Sequence, residues 1–237
     1  MTAPAEAFID LRDVCRQYGR FRALDRFSCT FAKTDFTAVL GRNGAGKSTL
    51  LRILSTVLKP TDGQILVDGI NIHRSPAEVL RHIGVVAHHT FLYGDLTAYE
   101  NLEFYGNLYQ VPQLEQRINN LLDQVGLTGW SNELARKFSR GMQQRLAIAR
   151  ALVHDPAVLL LDEPYTGLDQ KASSDLDAIL NAFHAQGRCI IVVSHDVERI
   201  TGLARRTLLV DHGKLVADTN QGIDTREIVN TYKSLLK

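Results

Sequence analysis

The amino-acid sequence predicts an α/β fold with a mostly parallel sheet, an N-terminal antiparallel β-subdomain and an inserted α-helical subdomain. Residues 158–161 and Cys189–Val193 are continuous apolar runs, which are typical of parallel strands covered on both faces. Residues 8–40 contain stretches that alternate apolar and polar side chains, as half-exposed strands do. From residue 97 to residue 154 the apolar spacing is helical. Strands are therefore expected in both terminal regions and helices between them.

Short apolar patterns define the elements of the first half. Residues 8–14 and 27–31 are predicted to be half-exposed strands, and Phe36–Leu40 is predicted to be a short apolar strand. A helix is predicted over residues 48–57, with an apolar face made of Leu50, Leu51, Ile53, Leu54 and Val57. The remaining predictions are a turn, a strand and a turn at 62–69, a short helix at 76–81 and a buried strand at 83–86.

Caps and turns define the elements of the second half. Thr97 to Glu100 form a capping box that opens a helix, and Ser139 is a good N-cap for a later one. A helical stretch at 170–183 separates the two parallel-type strands, and His212-Gly213 is the predicted turn of a hairpin. The last helix opens with a second capping-box pattern at Asp224. Its single apolar stripe predicts docking on its own domain, with a partner surface as the alternative.

A glycine-rich stretch lies between the short apolar strand and the first helix and reads G-x-x-x-x-G-K-S. It consists of Gly41, Arg42, Asn43, Gly44, Ala45, Gly46, Lys47, Ser48 and Thr49. Glycines let the backbone curl so that its N–H groups converge on phosphate oxygens, and the helix N-terminus adds positive partial charge. Lys47 is expected to reach the β- and γ-phosphates, and Ser48 to offer its hydroxyl to Mg²⁺. This context favours a nucleotide triphosphatase loop over a structural turn.

Two acids close the apolar strand at 158–161, where α/β proteins place ligands. Asp162 is placed to hold Mg²⁺, directly or through water, and Glu163 to polarise the attacking water as general base. The alternative, a helix cap made of two acids, is disfavoured by the phosphate loop upstream. Tyr18 precedes that loop and could stack on the nucleotide base, the alternative being a tyrosine packed on a turn.

A second anion site is predicted where a serine and a glycine open a helix, at Ser139, Arg140, Gly141 and Met142. By itself this segment is better explained as an ordinary capped helix. A guanine-nucleotide enzyme is disfavoured, because no Asn-Lys-x-Asp stretch follows the phosphate loop.

These stretches together resemble the ATP-binding cassette (ABC) family, and they occur in that family's order from Tyr18 to about Val216. The resemblance implies a P-loop NTPase core of the RecA-like type, in a single domain over residues 1–237 with a helical subdomain at approximately 91–154. It also implies an ATPase that takes ATP as substrate with Mg²⁺, and two chains that sandwich two ATPs head to tail as a homodimer.

The resemblance assigns roles to individual residues. Ser139, Arg140, Gly141 and Met142, similar to the family signature, would contact the partner subunit's ATP. Asp169, in a stretch similar to the family's D-loop, would link the two sites. Glu163, His195 and Lys47 would be the catalytic residues, with His195 and Lys47 stabilising charge on the γ-phosphoryl group.

Two departures from the family pattern stand out. Arg140 occupies a position where glycine is commonest, although its backbone N–H is retained. The segment Ala87-His88-His89-Thr90 lacks the glutamine that the family normally has there to contact Mg²⁺. Either His88 or His89 takes its place, and an imidazole with an unperturbed pKa of about 6.5 would tie coupling to pH. Metal binding by the two histidines alone is the less favoured explanation.

Composition limits the partners. The formal net charge of +1 gives no sign of a nucleic-acid partner. The longest apolar runs span about five residues against the ~20 needed to cross a bilayer, and no secretion signal is expected at the N-terminus. The three cysteines fit no metal spacing and are expected to be reduced. The resemblance to the ABC family implies a peripheral subunit on the cytoplasmic face of the cell membrane, which works with integral membrane permease subunits.

Three stretches, 88–102, 138–145 and 162–169, resemble the ATPase subunit of heme exporters of cytochrome c maturation, the CcmA group. Multidrug, lipid and polysaccharide exporters share these stretches with variation and stay open as alternatives. A soluble iron–sulfur assembly ATPase is the rival from another class. A chromosome-maintenance ATPase is disfavoured, because the helical insert of about 55 residues contains no long heptad pattern.

Overall fold

A computed structural model describes residues 7–87 and 89–236. The strands are β1 (Ala7–Tyr18), β2 (Phe21–Ala32), β3 (Phe36–Leu40), β4 (Asp62–Val67), β5 (Ile70–Asn71), β6 (Ile83–Val86), β7 (Val158–Asp162), β8 (Cys189–Val193), β9 (Arg206–Asp211) and β10 (Lys214–Asp218). The α-helices are α1 (Lys47–Leu54), α2 (Pro76–Leu80), α3 (Ala98–Leu108), α4 (Leu114–Gln124), α5 (Arg140–Leu152), α6 (Gln170–Ala185), α7 (Val197–Leu203) and α8 (Thr225–Leu235).

The strands form two sheets. The first is antiparallel, with the order β2-β1-β4-β5, and the second has the order β10-β9-β3-β8-β7-β6. Within the second sheet, β9, β3, β8, β7 and β6 run parallel to their neighbours, and β10 pairs antiparallel with β9 at the edge. The predicted fold class is therefore confirmed, including the hairpin about Gly213 and the helices between β6 and β7.

The parallel strands are covered on both faces, as their continuous apolar runs predict. On β8, Ile190 and Val192 belong to the buried cluster that includes residues of α3, α4 and α5. Ile191 and Val193 belong to the other buried cluster, which includes α1 and the antiparallel sheet. Each of these four side chains is at most 1% exposed. The central sheet thus divides the core into two buried clusters, one on each face.

A buried arginine joins the two sheets. Arg206 on β9 donates to both carboxylate oxygens of Asp218, to Asp35 and to the carbonyl oxygen of Thr30. Burial lowers the pKa of Arg206, but the hydrogen bond to Asp218 and the charges of Asp218 and Asp35 outweigh it, so that the pKa lies above its usual range. Thr30 lies on β2, so this group fixes the antiparallel sheet against the parallel one.

The ends of two helices test the sequence predictions: the predicted start of α3 is confirmed and the predicted end of α1 is not. The capping box at Thr97 is confirmed: Glu100 N donates to Thr97 Oγ1 at 3.1 Å and Thr97 N donates to Glu100 Oε2 at 2.7 Å. The prediction that α1 continues to Val57 is wrong. The helix ends at Leu54, because Thr56 adopts a left-handed backbone with φ of +61°, and Val57 is 70% exposed.

The C-terminal helix docks on its own domain, as predicted. Ile228 and Tyr232 of α8 are buried in the cluster that contains the helical segment. Asp224 caps the helix by accepting from the N–H of Arg226 at 2.7 Å, a simpler cap than the predicted box. Within residues 7–87 and 89–236, no helix has both the length and the apolar character that crossing a bilayer requires.

Candidate active site

The glycine-rich loop connects β3 to α1 and is held in a tight turn. Gly46 is the N-cap of α1, with φ of +109°, a backbone that L side chains rarely adopt. A methyl group placed on Gly46 would lie 2.3 Å from the carbonyl oxygen of Ala23, so no larger residue fits there. Ala45 N donates to Arg42 O at 3.1 Å within the loop. The first N–H groups of α1 are thereby available to an anion.

Lys47 lies beneath this loop. Its ammonium group donates to the carbonyl oxygens of Gly41 at 2.6 Å and Arg42 at 3.0 Å, and the residue is only 6% exposed. Burial lowers the pKa of Lys47, while the charges of Glu163 and Asp162 act in the opposite direction. The ammonium group of Lys47 therefore lies near the carboxylates of Asp162 and Glu163, at the edge of the sheet where β3 and β7 end.

A contact from the distant hairpin holds the loop from the other side. Gly213 N donates to Ala45 O at 2.9 Å, and Asp25 N donates to Gly213 O at 3.0 Å. A methyl group on Gly213 would lie 2.8 Å from the carbonyl oxygen of Ala23. The His212-Gly213 pair signals a hairpin in the sequence, but nothing there shows that its turn supports the phosphate loop.

An oxygen-donor pair lies where β7 meets α1. Strand order brings the ends of β3, β8 and β7 to one edge, and Ser48 Oγ lies 3.4 Å from Asp162 Oδ1. Mg²⁺ prefers hydroxyl and carboxylate oxygens and is bound through few protein ligands. The donor set therefore fits the predicted Mg²⁺ ligands.

Glu163 and His195 face each other beside this pair. Glu163 Oε2 accepts a hydrogen bond from His195 N at 3.1 Å, and His195 Nε2 lies 3.2 Å from Glu163 Oε1. Glu163 has a left-handed backbone with φ of +52°, and its N–H donates to Val193 O at 2.9 Å. Burial, the largest cause, raises the pKa of Glu163. A carboxylate of raised basicity is suited to accept a proton from water.

One cleft of about 230 Å³ gathers most of the predicted site. Its lining consists of Tyr18, Phe21, Ala23, Asn43, Gly44, Ala45, Gly46, Lys47, Ser48, Thr49, Glu163, Val193 and His195. Gly41 and Arg42 instead contribute the carbonyl oxygens that hold Lys47. Phe21 was missed, although it follows Tyr18 across the Gly19-Arg20 turn and pairs with it in register.

The aromatic wall of the cleft is open to solvent. Tyr18 is 42% exposed and Phe21 is 58% exposed. The guanidinium carbon of Arg16 lies 4.5 Å from the centroid of the Tyr18 ring. Exposed rings at the mouth of a phosphate site are suited to stacking with a nucleotide base.

The predicted second anion site is built from helix caps. Ser139 Oγ accepts from Met142 N at 3.3 Å and opens α5, and Asp169 Oδ1 accepts from Ala172 N at 2.7 Å and opens α6. A methyl group on Gly141 would lie 2.9 Å from Cβ of Ala172, so α5 and α6 start close together. Arg140 lies against Gly167: a methyl group there would be 3.7 Å from Arg140 Cγ.

This second group lies apart from the cleft. Among the described residues, those that line the cleft include neither Asp169 nor any of residues 139–142. Trp130 stands nearby, 51% exposed, with its ring edge-to-face against Phe138 at 6.4 Å between centroids. One chain therefore presents two separate groups of predicted nucleotide-binding residues.

The histidine segment follows β6. His88 lies outside the described residues, and His89 is exposed. Val86, at the end of β6, pairs in register with Leu161, the residue before Asp162. The segment thus starts beside the strand end that carries the two acids.

A family model described as ABC transporter matches residues 24–166. The ABC transporter ATP-binding protein NatA of Bacillus subtilis (strain 168) is 37% identical over 198 residues, covering 82% of this chain and 80% of that protein. The bacitracin transport ATP-binding protein BcrA of Bacillus licheniformis is 35% identical over 211 residues, covering 89% of this chain and 69% of that protein.

Solved structures and further relatives extend the comparison. The dimeric, post-hydrolysis state of the ATP-binding cassette MJ0796 bound to ADP and Pi has a TM-score of 0.80 at 27% identity, covering 89% of this chain and 97% of that one. A sulfate/thiosulfate import ATP-binding protein, CysA of Mycobacterium tuberculosis (strain CDC 1551 / Oshkosh), is 36% identical over 210 residues, covering 87% of this chain and 60% of that protein. Overall similarity therefore does not separate exporters from importers.

Proposed function

This chain belongs to the ABC transporter family of ATP-binding subunits and is an ATPase, and from that premise we propose that it drives an exporter of the heme or cytochrome c maturation type. The ATPase activity is supported by one observation above all: Lys47, Glu163 and His195 line a single cleft together with the glycine-rich loop. The exporter type rests on the resemblance of residues 88–102, 138–145 and 162–169 to the CcmA group.

In the proposed mechanism each residue of the cleft has one task. The loop N–H groups and Lys47 bind the phosphates, and the exposed ring of Tyr18 stacks on the base. Glu163 accepts a proton from the attacking water, while His195 and Lys47 face the charge that develops on the γ-phosphoryl group. Ser48 and Asp162 would hold Mg²⁺. When bound, Mg²⁺ supplies neutralisation of phosphate charge at this point.

The separation of the two groups of residues supports a homodimer. Residues 139–142 and Asp169 lie outside the cleft of their own chain, so they are available to the cleft of another. We propose that two copies pair head to tail, each closing the other's ATP. MJ0796, a relative in fold and sequence, is described as a dimer bound to ADP and Pi.

An exposed aromatic surface is the proposed contact with the membrane subunit. Phe91, Tyr93 and Phe104 are each between 45% and 57% exposed, and the rings of Tyr93 and Phe104 lie 5.0 Å apart. Exposed apolar side chains grouped in this way mark interaction sites. We propose that this surface, with residues 87–100, receives a helix of an integral membrane permease at the cytoplasmic face of the membrane.

Two further assignments belong to the same proposal. Residues 1–237 form a single ATPase domain in which approximately 91–154 are the helical subdomain. His88 or His89 replaces the family's glutamine, so the rate of coupled ATP hydrolysis should change between pH 6 and 8, because an imidazole can gain a proton and an amide cannot. A flat pH profile would contradict this role, as would unchanged activity after both histidines become glutamine.

The relative BcrA, described as a bacitracin transport protein, favours a second candidate, namely drug export. Lipid and polysaccharide export stay open as cargo alternatives. In every case cargo would pass through the permease rather than through this chain. The rival of another class is a soluble iron–sulfur assembly ATPase, which would need no permease.

Copurification tests the proposal. The tagged chain is isolated from detergent-solubilised membranes, and the proteins that accompany it are identified by mass spectrometry. A polytopic permease encoded beside heme-handling or cytochrome c factors is the expected result. A different permease would contradict the cargo and leave the ATPase mechanism intact, whereas a soluble scaffold alone would overturn the transport function.

A further inference from the structure

Asp177, in the middle of α6, receives two side chains from different parts of the chain. Its Oδ1 accepts a hydrogen bond from the hydroxyl of Tyr165 at 2.8 Å, and its Oδ2 accepts one from Nη1 of Arg199. Tyr165 is 8% exposed, and the side chains of Asp177 and Arg199 are 20% and 23% exposed. A partly buried carboxylate with an ionised donor makes a stronger hydrogen bond than a neutral pair does.

The two donors, Tyr165 and Arg199, lie close in sequence to Glu163 and His195. We call Glu163 and His195 the reactive pair. Tyr165 follows Glu163 by two residues in the same turn, where Thr166 N donates to Glu163 O at 3.2 Å. Arg199 belongs to α7, whose N-cap Asp196 comes directly after His195. Asp196 Oδ1 accepts from Arg199 N at 3.2 Å, and Asp196 Oδ2 lies 3.4 Å from Arg199 Nε.

A movement of Tyr165 or Arg199 would therefore also move a residue of the reactive pair. His195 N already donates to Glu163 Oε2 at 3.1 Å, so a shift of α7 relative to Tyr165 changes that contact. Tyr165 stays a hydrogen-bond donor, because burial and the hydrogen bond to Asp177 raise its pKa. The Arg199 guanidinium also lies 5.5 Å from the centroid of the Tyr165 ring, so all three side chains pack as a unit.

We propose that Asp177 is a positioning residue for ATP hydrolysis, which sets the separation of Glu163 and His195 by holding Tyr165 and Arg199 at once. Asp169 is the N-cap of α6, so the helix that carries Asp177 also starts beside the residue proposed to link the two ATP sites. The inference rests on the roles proposed above for Glu163 and His195. Asp177 itself does not line the cleft.

Asp177→Asn is the direct test in the full chain. The amide oxygen can still accept from Tyr165, but the charge that binds Arg199 is lost. Small misplacement of reacting groups costs up to about 100-fold, so we expect kcat to fall roughly 10- to 100-fold. The KM for ATP should stay within about twofold, because no phosphate contact changes.

The matched control is Asp155→Asn. Asp155 also pairs with two arginines, Arg117 at 3.1 Å and Arg188 at 2.8 Å, and it does not line the cleft. The same chemical change at this position should leave kcat within about twofold. An equal fall in kcat for both variants would mean a general loss of stability and would overturn the inference.

A double-mutant cycle with His195→Ala, in single-turnover assays, separates positioning from simple packing. If Asp177 acts through His195, the double variant should hydrolyse ATP no more slowly than His195→Ala alone. Additive losses would contradict the inference. If His195→Ala leaves the rate unchanged, the proposed role of His195 fails; if it slows hydrolysis while Asp177→Asn does not, only the present inference fails.

A second pair of variants covers the case in which Asp177→Asn does not fold. Arg199→Lys keeps a cation that can reach Asp177, and Arg199→Gln does not. We expect Arg199→Lys to retain most of the kcat that Arg199→Gln loses, with unchanged ATP affinity in both. Equal losses in the two variants would overturn the inference.

Discussion

The residues around Lys47 and those around Ser139 are held by different kinds of contact. Lys47 begins α1 directly after a loop that Gly213 from the edge hairpin contacts on one side and Ala23 from the antiparallel sheet contacts on the other. Ser139 needs only its own helix, because its hydroxyl accepts from Met142 three residues later. The first group depends on contacts from distant parts of the fold, whereas the cap that Ser139 provides is local.

In the proposed dimer, this difference would divide the work between two copies of the chain. A cleft that must bind triphosphate and activate water needs fixed charges, and long-range packing supplies that rigidity. A surface that must meet and leave a partner's nucleotide needs backbone N–H groups that are ready before contact, and helix caps supply them locally. Variants in the two groups should therefore fail in different ways.

The largest effect is expected from Glu163→Gln, which keeps the shape of the side chain but removes its basicity. Steady-state ATP hydrolysis should fall by about 10²–10⁴, as is usual when a general base is lost. Binding is left intact, so the variant should accumulate as an ATP-bound dimer in light scattering. A monomer at saturating ATP would contradict the division between the two groups.

The second-largest expected effect is a loss of stability at low pH, caused by a histidine at the end of α5, the helix that Ser139 caps. His154 follows α5; its Nε2 lies 3.2 Å from Ile83 O, and its ring stacks on Tyr109 at 4.0 Å. Burial lowers the pKa of His154 from 6.5 to about 4. The unfolded chain therefore takes up this proton first as pH falls. Stability should drop between about pH 6.5 and 4, by up to about 3 kcal/mol for this group.

Urea unfolding of His154→Gln over this pH range checks the effect. The variant cannot take up the proton, so its acid loss of stability should be smaller than that of the unmodified chain. The control is His212→Gln, because the side chain of His212 is 87% exposed. Identical pH dependence in His154→Gln and the unmodified chain would contradict the role of burial.

Lys47→Ala directly tests the residues around Lys47, which are held by contacts from distant parts of the chain. A hydrogen bond to a charged group contributes about 1.5–3 kcal/mol, so ATP affinity should fall at least about tenfold. Isothermal titration at fixed Mg²⁺ measures it, with Lys59→Ala, an exposed lysine after α1, as the control. Unchanged affinity for Lys47→Ala would show that the loop N–H groups alone hold the phosphates.

The smallest effect on the isolated chain is expected from Ser139→Ala. Loss of an N-cap serine destabilises a helix by roughly 1 kcal/mol, and Ser139→Thr should restore most of it. ATP affinity of the single chain should be unchanged, while ATP-dependent pairing weakens. If Ser139→Ala lowered affinity in the monomer as strongly as Lys47→Ala does, the two groups would not be independent.

Local patterns in the sequence were enough for most elements. Continuous apolar runs predicted β7 and β8, and the Thr97 and Ser139 caps predicted the starts of α3 and α5. The strand signals depend on consecutive residues and the caps on residues three apart, so a short window of the sequence contains them. The end of α1 was misjudged because Val57 continues the apolar spacing although Thr56 has already turned the backbone.

Contacts across the chain could not be predicted in the same way. Ser48 and Asp162 are 114 residues apart, and no local pattern joins them; the general rule that α/β proteins bind ligands at strand ends predicts that both serve one site. The support that Gly213 gives to Ala45 has no specific sequence signal, because the His212-Gly213 pair predicts a turn without showing what that turn contacts. The left-handed backbone of Glu163 and the bridging carboxylate of Asp177 likewise depend on tertiary packing.

Trp130 is the only tryptophan in the chain and stands half-exposed beside the segment that leads to Ser139. An indole in water emits at longer wavelength than one covered by protein. A second copy that closed over this segment would displace water from the ring and shift its emission toward the blue. The unlabelled protein thus carries its own fluorescent reporter, and rapid mixing with ATP could time the association of two copies without any added dye.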